Sequence, residues 1–294
     1  MVYKQSIGRK LFVVVNGFVL TAVMLLGVLP FVHLLAISLS SNSAAMAAEV
    51  KLWPVGFTLE AYNYLAQKSE FLRSLGISAE RVALGTAVNM LLVVITAYPL
   101  SKSNAQFKYR TAYVWFFAVT MFFGGGLIPT YIVVKETGLL NTIWALILPG
   151  ALSVWNMVML LNFFRNVPKD MEEAAVIDGA SHWALLWKVY LPVSLPAIAT
   201  IVLFTVVGHW NSWFDGILYM NSPEKYPLQS YLSTLVTSIN KQAISVEDLK
   251  RLENVSEKTL RTAQIFLGAL PIMLVYPFLQ RYFIKGITVG SVKE

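Results

Sequence analysis

The chain has 294 residues, 56% of them hydrophobic and only 13% charged, with a mean hydropathy of +0.61. Soluble domains carry about 25% charged residues, so half that fraction excludes an ordinary soluble enzyme and indicates a membrane protein. The chain has no cysteine, which removes disulfides and thiolate metal sites, and its net charge is +7.

Six stretches lack Asp, Glu, Lys and Arg and reach the roughly 20 apolar residues that a bilayer crossing needs: 11–37, 82–100, 111–134, 142–164, 191–214 and 262–280. None shows the two-residue alternation of a barrel strand, so helices are the form that satisfies their backbone in lipid. The fold class predicted is therefore an all-α integral membrane protein of six spans, a single transmembrane domain over 1–294.

In chain order, Lys4, Arg9 and Lys10 before the first stretch, with Ala45-Met46-Ala47 after it, imitate a signal peptide. A signal core is only about 7–15 residues long, so the stretch is read as a retained span. The second stretch holds Asn89 and is followed by a short loop with Lys102, Lys108 and Arg110 and no acid. Gly124-Gly125-Gly126, with Pro129 close behind, predicts a break in the third span. Asn156 lies in the fourth. The fifth ends in His209, Trp210, Asn211, Trp213 and Asp215, and a long outer loop, 215–261, precedes the sixth. Within that loop Val246, Leu249, Leu252 and Val255 have the spacing of a short surface helix.

Six spans place both termini on one side. With the amino end inside, the inner segments hold twelve cations and five acids, and the outer segments balance. The whole net charge thus falls on one face, which makes that face cytoplasmic. It also leaves no concentrated basic surface for nucleic acid.

The segment 166–192 between the fourth and fifth spans is charged and amphipathic, and the charge count places it in the cytoplasm. Pro168 with Asp170, Glu172 and Glu173 close behind reads as a helix entry. Gly179 suits a sharp turn between two short helices. After it, Trp183, Leu186, Trp187 and Tyr190 recur at three- and four-residue spacing and predict one apolar face. An interfacial helix anchored by tryptophans accounts for that face. It does not account for Glu173-Ala174-Ala175, Asp178-Gly179-Ala180 and Leu191-Pro192 occurring together.

Those residues, at that spacing, resemble the EAA loop of the membrane subunits of bacterial binding-protein-dependent ABC importers; Val189, where isoleucine is usual, is the one departure. The resemblance implies a type I permease fold in the cytoplasmic (inner) membrane. It implies that Glu173, Ala174, Ala175, Asp178, Gly179 and Ala180 form a coupling helix–turn docked on an ATPase, with Leu191-Pro192 leading into the next span. Partners implied are a second homologous permease subunit, two ATPase subunits, a periplasmic substrate-binding protein and a saccharide. ATP and Mg would be bound in the ATPase, and no cofactor or metal by this chain. The stretch Trp53–Tyr62, Trp210-Asn211 with Asp215, and Tyr226-Pro227-Leu228-Gln229 are similar to the carbohydrate branch. The layout and the long outer loop are similar to subunits that import oligosaccharides and polysaccharide fragments, alginate among them.

Polar residues within spans are costly in lipid and face a cavity or a partner helix. Asn89, Asn156, His209, Trp210, Asn211, Trp213 and Asp215 therefore each have two readings. Either they line a translocation path, or they bond between helices and anchor at the interface. Two other function classes fit less of the chain. A secondary transporter built as a dimer of six-helix units does not need segment 166–192, and the spans hold no carboxylate for ion coupling except Asp215 at an edge. A membrane enzyme finds no catalytic residues: there is no His-Glu-x-x-His, no Gly-x-x-x-x-Gly-Lys-Ser/Thr, and only His33, His182 and His209.

Overall fold

The structure is a computed structural model that describes residues 7–237 and 257–291, with side chains at 7–234 and 258–277. The helix expected at Val246–Val255 lies outside the described residues. Every regular element among them is helical, and the chain divides into two compact units, Met1–Ser69 with Leu235–Leu270, and Glu70–Thr234 with Pro271–Glu294.

The first unit is built on α1 (Ile7–Ser38), which is apolar on every side and exposed along most of its length. Such a surface is stable only in lipid or against another apolar surface. Its last residues, Ala36 and Ile37, pack with Ala44, Ala45 and Val50 around α2 (Asn42–Met46). The segment after α2 folds back on the end of α1. Ser41 N–H donates to the Val55 carbonyl at 3.0 Å, and Thr58 N–H to the Leu39 carbonyl at 3.0 Å. The turn between them requires Gly56 at φ +64°. Tyr62, on α3 (Glu60–Gln67), shares a 2.7 Å hydrogen bond with Ser38 Oγ.

The second unit centres on α4 (Ser69–Ser101). It begins well before the charge-free stretch 82–100, because Arg73, Glu80 and Arg81 belong to the helix. After α4 come α5 (Arg110–Phe122) and α6 (Leu127–Glu136), separated by the glycine break expected at 124–126 and bent by 114°. Two 3₁₀ turns, Ile143–Leu146 and Leu148–Gly150, then lead into α7 (Val154–Arg165). Segment 166–192 contributes α8 (Lys169–Ile177), α9 (His182–Leu185), a π turn (Leu186–Tyr190) and α10 (Leu191–Val193). The chain continues through α11 (Leu195–Asn211), α12 (Phe214–Tyr219) and α13 (Leu228–Thr237) to α14 (Glu257–Ser291). Among the described residues, three helices are long and apolar enough to cross a membrane, and there are six spans if each bent pair is one.

The core of this unit brings α4, α7, α11 and segment 166–192 together. Val93, Ala97, Met157, Leu160, Leu185 and Ile201 are all at or near zero exposure there. Halfway along, a polar clasp crosses the packed helices. Asn156 Nδ2 donates to Thr205 Oγ1 at 3.4 Å, Thr205 Oγ1 donates to Asn89 Oδ1 at 3.2 Å, and Asn89 Nδ2 donates to the Ala151 carbonyl at 3.0 Å. One turn further out, Gly85 lets α11 approach closely: a Cβ there would stand 2.5 Å from His209 Nε2. Thr205→Val removes the hydroxyl that joins the two asparagines. It should cost about 1–2 kcal/mol, the upper range for interhelical hydrogen bonds in membranes, and lower the melting temperature in detergent.

Candidate functional site

Segment 166–192 is shaped by its turn. Pro168 opens α8 at φ −56°, and Asp170 and Glu172 sit in the first turn, where the positive end of the helix dipole favours carboxylates. The helix ends in a Schellman motif. Gly179, at φ +77°, donates its N–H to the Val176 carbonyl at 2.9 Å, and Ala180 N–H reaches back to the Ala175 carbonyl at 2.9 Å. Ala175 and Ala180 are the pair such a motif brings together, and both rest against the core. This explains the spacing Glu-Ala-Ala-x-x-Asp-Gly-Ala: glycine supplies the left-handed residue and two alanines close the turn. Ser181 then caps α9 by accepting from Ala184 N–H at 3.3 Å. Pro192 has no N–H to offer the Lys188 carbonyl, and the chain widens into the π turn just before it.

Of the residues expected to couple to an ATPase, Glu173, Ala174, Asp178, Gly179 and Pro192 are exposed, and Ala175, Ala180 and Leu191 are half-buried. The same surface carries Val176 and Ile177, the latter 85% exposed. The single apolar face expected after Gly179 is instead divided. Leu186 and Tyr190 are buried in the core, while Trp183 and Trp187, at 65% and 61%, point outward. The core claims only one edge of that stripe and leaves the tryptophans for another environment.

Behind the exposed surface lies a buried charged cluster that sequence reading missed. Lys102 Nζ, at the end of α4, donates to Glu172 Oε1 and to Tyr190 Oη, both at 2.8 Å, and Tyr190 Oη donates to Glu172 Oε2 at 2.5 Å. The ammonium also stands 4.1 Å from the ring centre of Tyr190 and 4.5 Å from that of Tyr98. Burial pushes the Glu172 carboxyl up, but the hydrogen bonds from Lys102 and Tyr190, the charge of Lys102 and the Gln106 amide outweigh it. The carboxyl is held below its ordinary 4.5.

The outer group assembles differently. Arg81 on α4, 2% exposed, grips Asp215 with both terminal nitrogens, Nη1 to Oδ1 at 3.1 Å and Nη2 to Oδ2. The same guanidinium donates to the Leu146 carbonyl at 3.3 Å and the Ser212 carbonyl at 3.4 Å. Asp215 also accepts from Ser212 Oγ at 2.8 Å and from Gly216 N–H at 2.9 Å. His209 lies on Gly85, Trp210 is 7% exposed, Asn211 is exposed and Trp213 is 48% exposed. Asn89 and Asn156 are the two ends of the buried clasp with Thr205. Among the described residues no group of three or more His, Cys, Asp or Glu side chains could hold a metal ion.

A helical membrane unit that presents a capped, partly apolar turn on one face defines a class: a membrane subunit built to be engaged by another protein. Residues 90–289 match the binding-protein-dependent transport system inner membrane component. The chain is 40% identical over 284 residues to Protein LplC of Bacillus subtilis (strain 168), covering 97% of this chain and 95% of that one. It is 39% identical over 269 residues to the polygalacturonan/rhamnogalacturonan transport system permease protein YtcP of the same strain, covering 92% and 93%. A crystal structure of a bacterial ABC transporter involved in the import of the acidic polysaccharide alginate has a chain that superimposes with a TM-score of 0.87 at 30% identity, over 95% of this chain and 99% of that one. The chain belongs to the family of binding-protein-dependent transport system inner membrane components. It is accordingly a permease subunit of an ABC importer with the type I architecture, and a transport component, not an enzyme.

The lowered Glu172 carboxyl makes a pH prediction. A group whose folded value is depressed stabilises the fold above its unfolded value, 4.5, and that stabilisation is lost as pH falls through the folded value. Glu172→Gln should therefore melt below the wild type at pH 7. The gap should close as the pH is taken below 4.5 in matched thermal scans.

Proposed function

We propose that this chain conducts an acidic oligosaccharide or polysaccharide fragment through the cytoplasmic membrane as half of a heterodimeric permease. A second homologous permease subunit completes the pathway, two ATPase subunits sit beneath, and a periplasmic binding protein delivers the saccharide. The observation that carries the ATPase part is the exposed surface of Glu173, Ala174, Val176 and Ile177 on a helix held rigid by the Gly179 turn. The saccharide part is supported by relatives whose names specify polygalacturonan and rhamnogalacturonan, and alginate. Alginate and polygalacturonan both carry carboxylated sugars, and alginate oligosaccharides are the first substrates to try.

In this reading both termini are cytoplasmic, as the loop Lys102–Arg110, with three cations and no acid, supports. ATP and Mg are bound by the ATPases, whose closure displaces α8 and α9 and with them the packed helices of the core, exchanging inward-open and outward-open states. Asn89, Asn156, His209, Trp210, Asn211, Trp213 and Asp215 are the pathway candidates. Exposed Asn211 and Trp213 are the ones best placed to meet a sugar directly, Trp213 by stacking on a pyranose face.

Mild-detergent affinity purification from native membranes should recover one related permease and two copies of an ATPase per chain. That complex should hydrolyse ATP faster with binding protein and alginate or galacturonate oligomers than with a neutral glucan of equal length. Recovery of the chain alone, or as a homodimer without ATPase, would sink the reading. Gly179→Val forces a β-branched residue into the left-handed region at a cost of about 1–2 kcal/mol, although its Cβ would meet nothing within 4 Å. Uptake should fall while membrane insertion persists. Glu173→Lys should reduce the ATPase recovered in the same purification.

A further inference from the structure

Two ion pairs with buried cations join α4 to other elements, one at Arg81, twelve residues into the helix, and one at Lys102, just past its last residue. Arg81 and Lys102 are twenty-one residues apart along α4 and the residue that follows it, about 32 Å at 1.5 Å per residue, close to the thickness of the bilayer core. At one end Lys102 holds Glu172 of α8 and Tyr190 of the π turn. At the other Arg81 holds Asp215 of α12 together with the carbonyls of Ser212 and Leu146. Between them lie the close approach at Gly85 and the Asn89–Thr205–Asn156 clasp. Segment 166–192 is joined through the backbone only to α7 and α11. Lys102 is therefore its charged attachment to a helix distant in sequence, and α4 is continuous from Arg81 to the residue before Lys102.

The charges are informative because apolar packing alone would hold α4 in place. A buried ion pair is poor at adding stability but costly to break on one side. It resists sliding between the elements that it joins more than a slippery apolar contact does.

We propose that α4 is the transmission rod of this subunit. Lys102 is the positioning residue that makes α4 move with the coupling helix, and Arg81 is the positioning residue that delivers that movement to the α11–α12 corner at the outer end. The inference rests on an ATPase docking at α8–α9. It adds a path by which that ATPase is felt at the far side of the membrane.

The test uses the whole complex purified from native membranes, with spin labels on L72C and K169C. Both positions are exposed, one near the outer start of α4 and one at the start of α8, and the chain has no native cysteine. If the two move as one body, the label distance in the otherwise wild-type complex stays within about 2 Å between the nucleotide-free and the ATP–vanadate-trapped states. Lys102→Met then lets that distance shift or broaden on trapping. In proteoliposomes, K102M and R81M each lower uptake per ATP hydrolysed about tenfold, with ATPase stoichiometry and basal hydrolysis within about twofold of wild type. The charge-swapped K102E/E172K regains part of the lost coupling.

A label distance that already shifts by more than this in the wild-type complex overturns the proposal, whether or not the variants assemble. So does normal coupling in K102M, or a loss in which assembly, basal hydrolysis and uptake all fall together. A wild-type preparation without any ATPase overturns the docking reading itself, and this one with it.

Discussion

A cation taken out of water must bring its counter-charge with it, and α4 carries one near each end of its membrane-crossing length. Neither Arg81 nor Lys102 could occupy its site alone, since an unpaired buried charge costs several kcal/mol. Each is answered from an element far along the chain, Asp215 or Glu172, so the fold cannot close around α4 unless α12 and α8 arrive in register. The apolar core of Val93, Ala97, Leu160 and Ile201 supplies most of the adhesion. The charges decide where along α4 the other elements stop.

Segment 166–192 divides its contacts along one helix and one turn. Its inward residues, Glu172, Ala175, Ala180, Leu186 and Tyr190, fasten it to the unit. Its outward ones, Glu173, Ala174, Val176 and Ile177, are left for another surface. The turn at Gly179 lets both jobs be done in so few residues, because the Schellman closure fixes the angle at which α9 leaves α8. A flexible linker there would let a pushing partner bend the turn rather than shift the helices behind it.

Local features were readable from the sequence and distant pairings were not. The apolar run 11–37, the break at Gly124–Gly126 and the turn at Gly179 depend on neighbouring residues, and the structure has a helix, a bend and a positive φ at those places. The first part of α4, up to Arg81, was missed because a search for charge-free stretches stops there, whereas burial and pairing make Arg81 part of the helix packing. Lys102–Glu172 and Arg81–Asp215 join residues 70 and 134 positions apart, and no local pattern encodes a partner at that range. Asp215 carried a hint: a carboxylate at the end of an apolar run needs a cation, and Arg81 was available at the edge of another. The divided stripe of Trp183, Leu186, Trp187 and Tyr190 shows the limit of periodicity, which finds a face but not how much of it the core will take.

Ile177 stands almost free of the fold, with Val176 beside it. An apolar tip of this kind is tolerable while covered and a liability while bare. A copy of the chain made in excess of its partners would display it continuously, as would one released from a broken assembly. To the proteolytic surveillance of the cell that tip would mark the copy as surplus. The feature that serves docking would then also keep the subunits of the machine in proportion, by shortening the lifetime of any copy left without its complement.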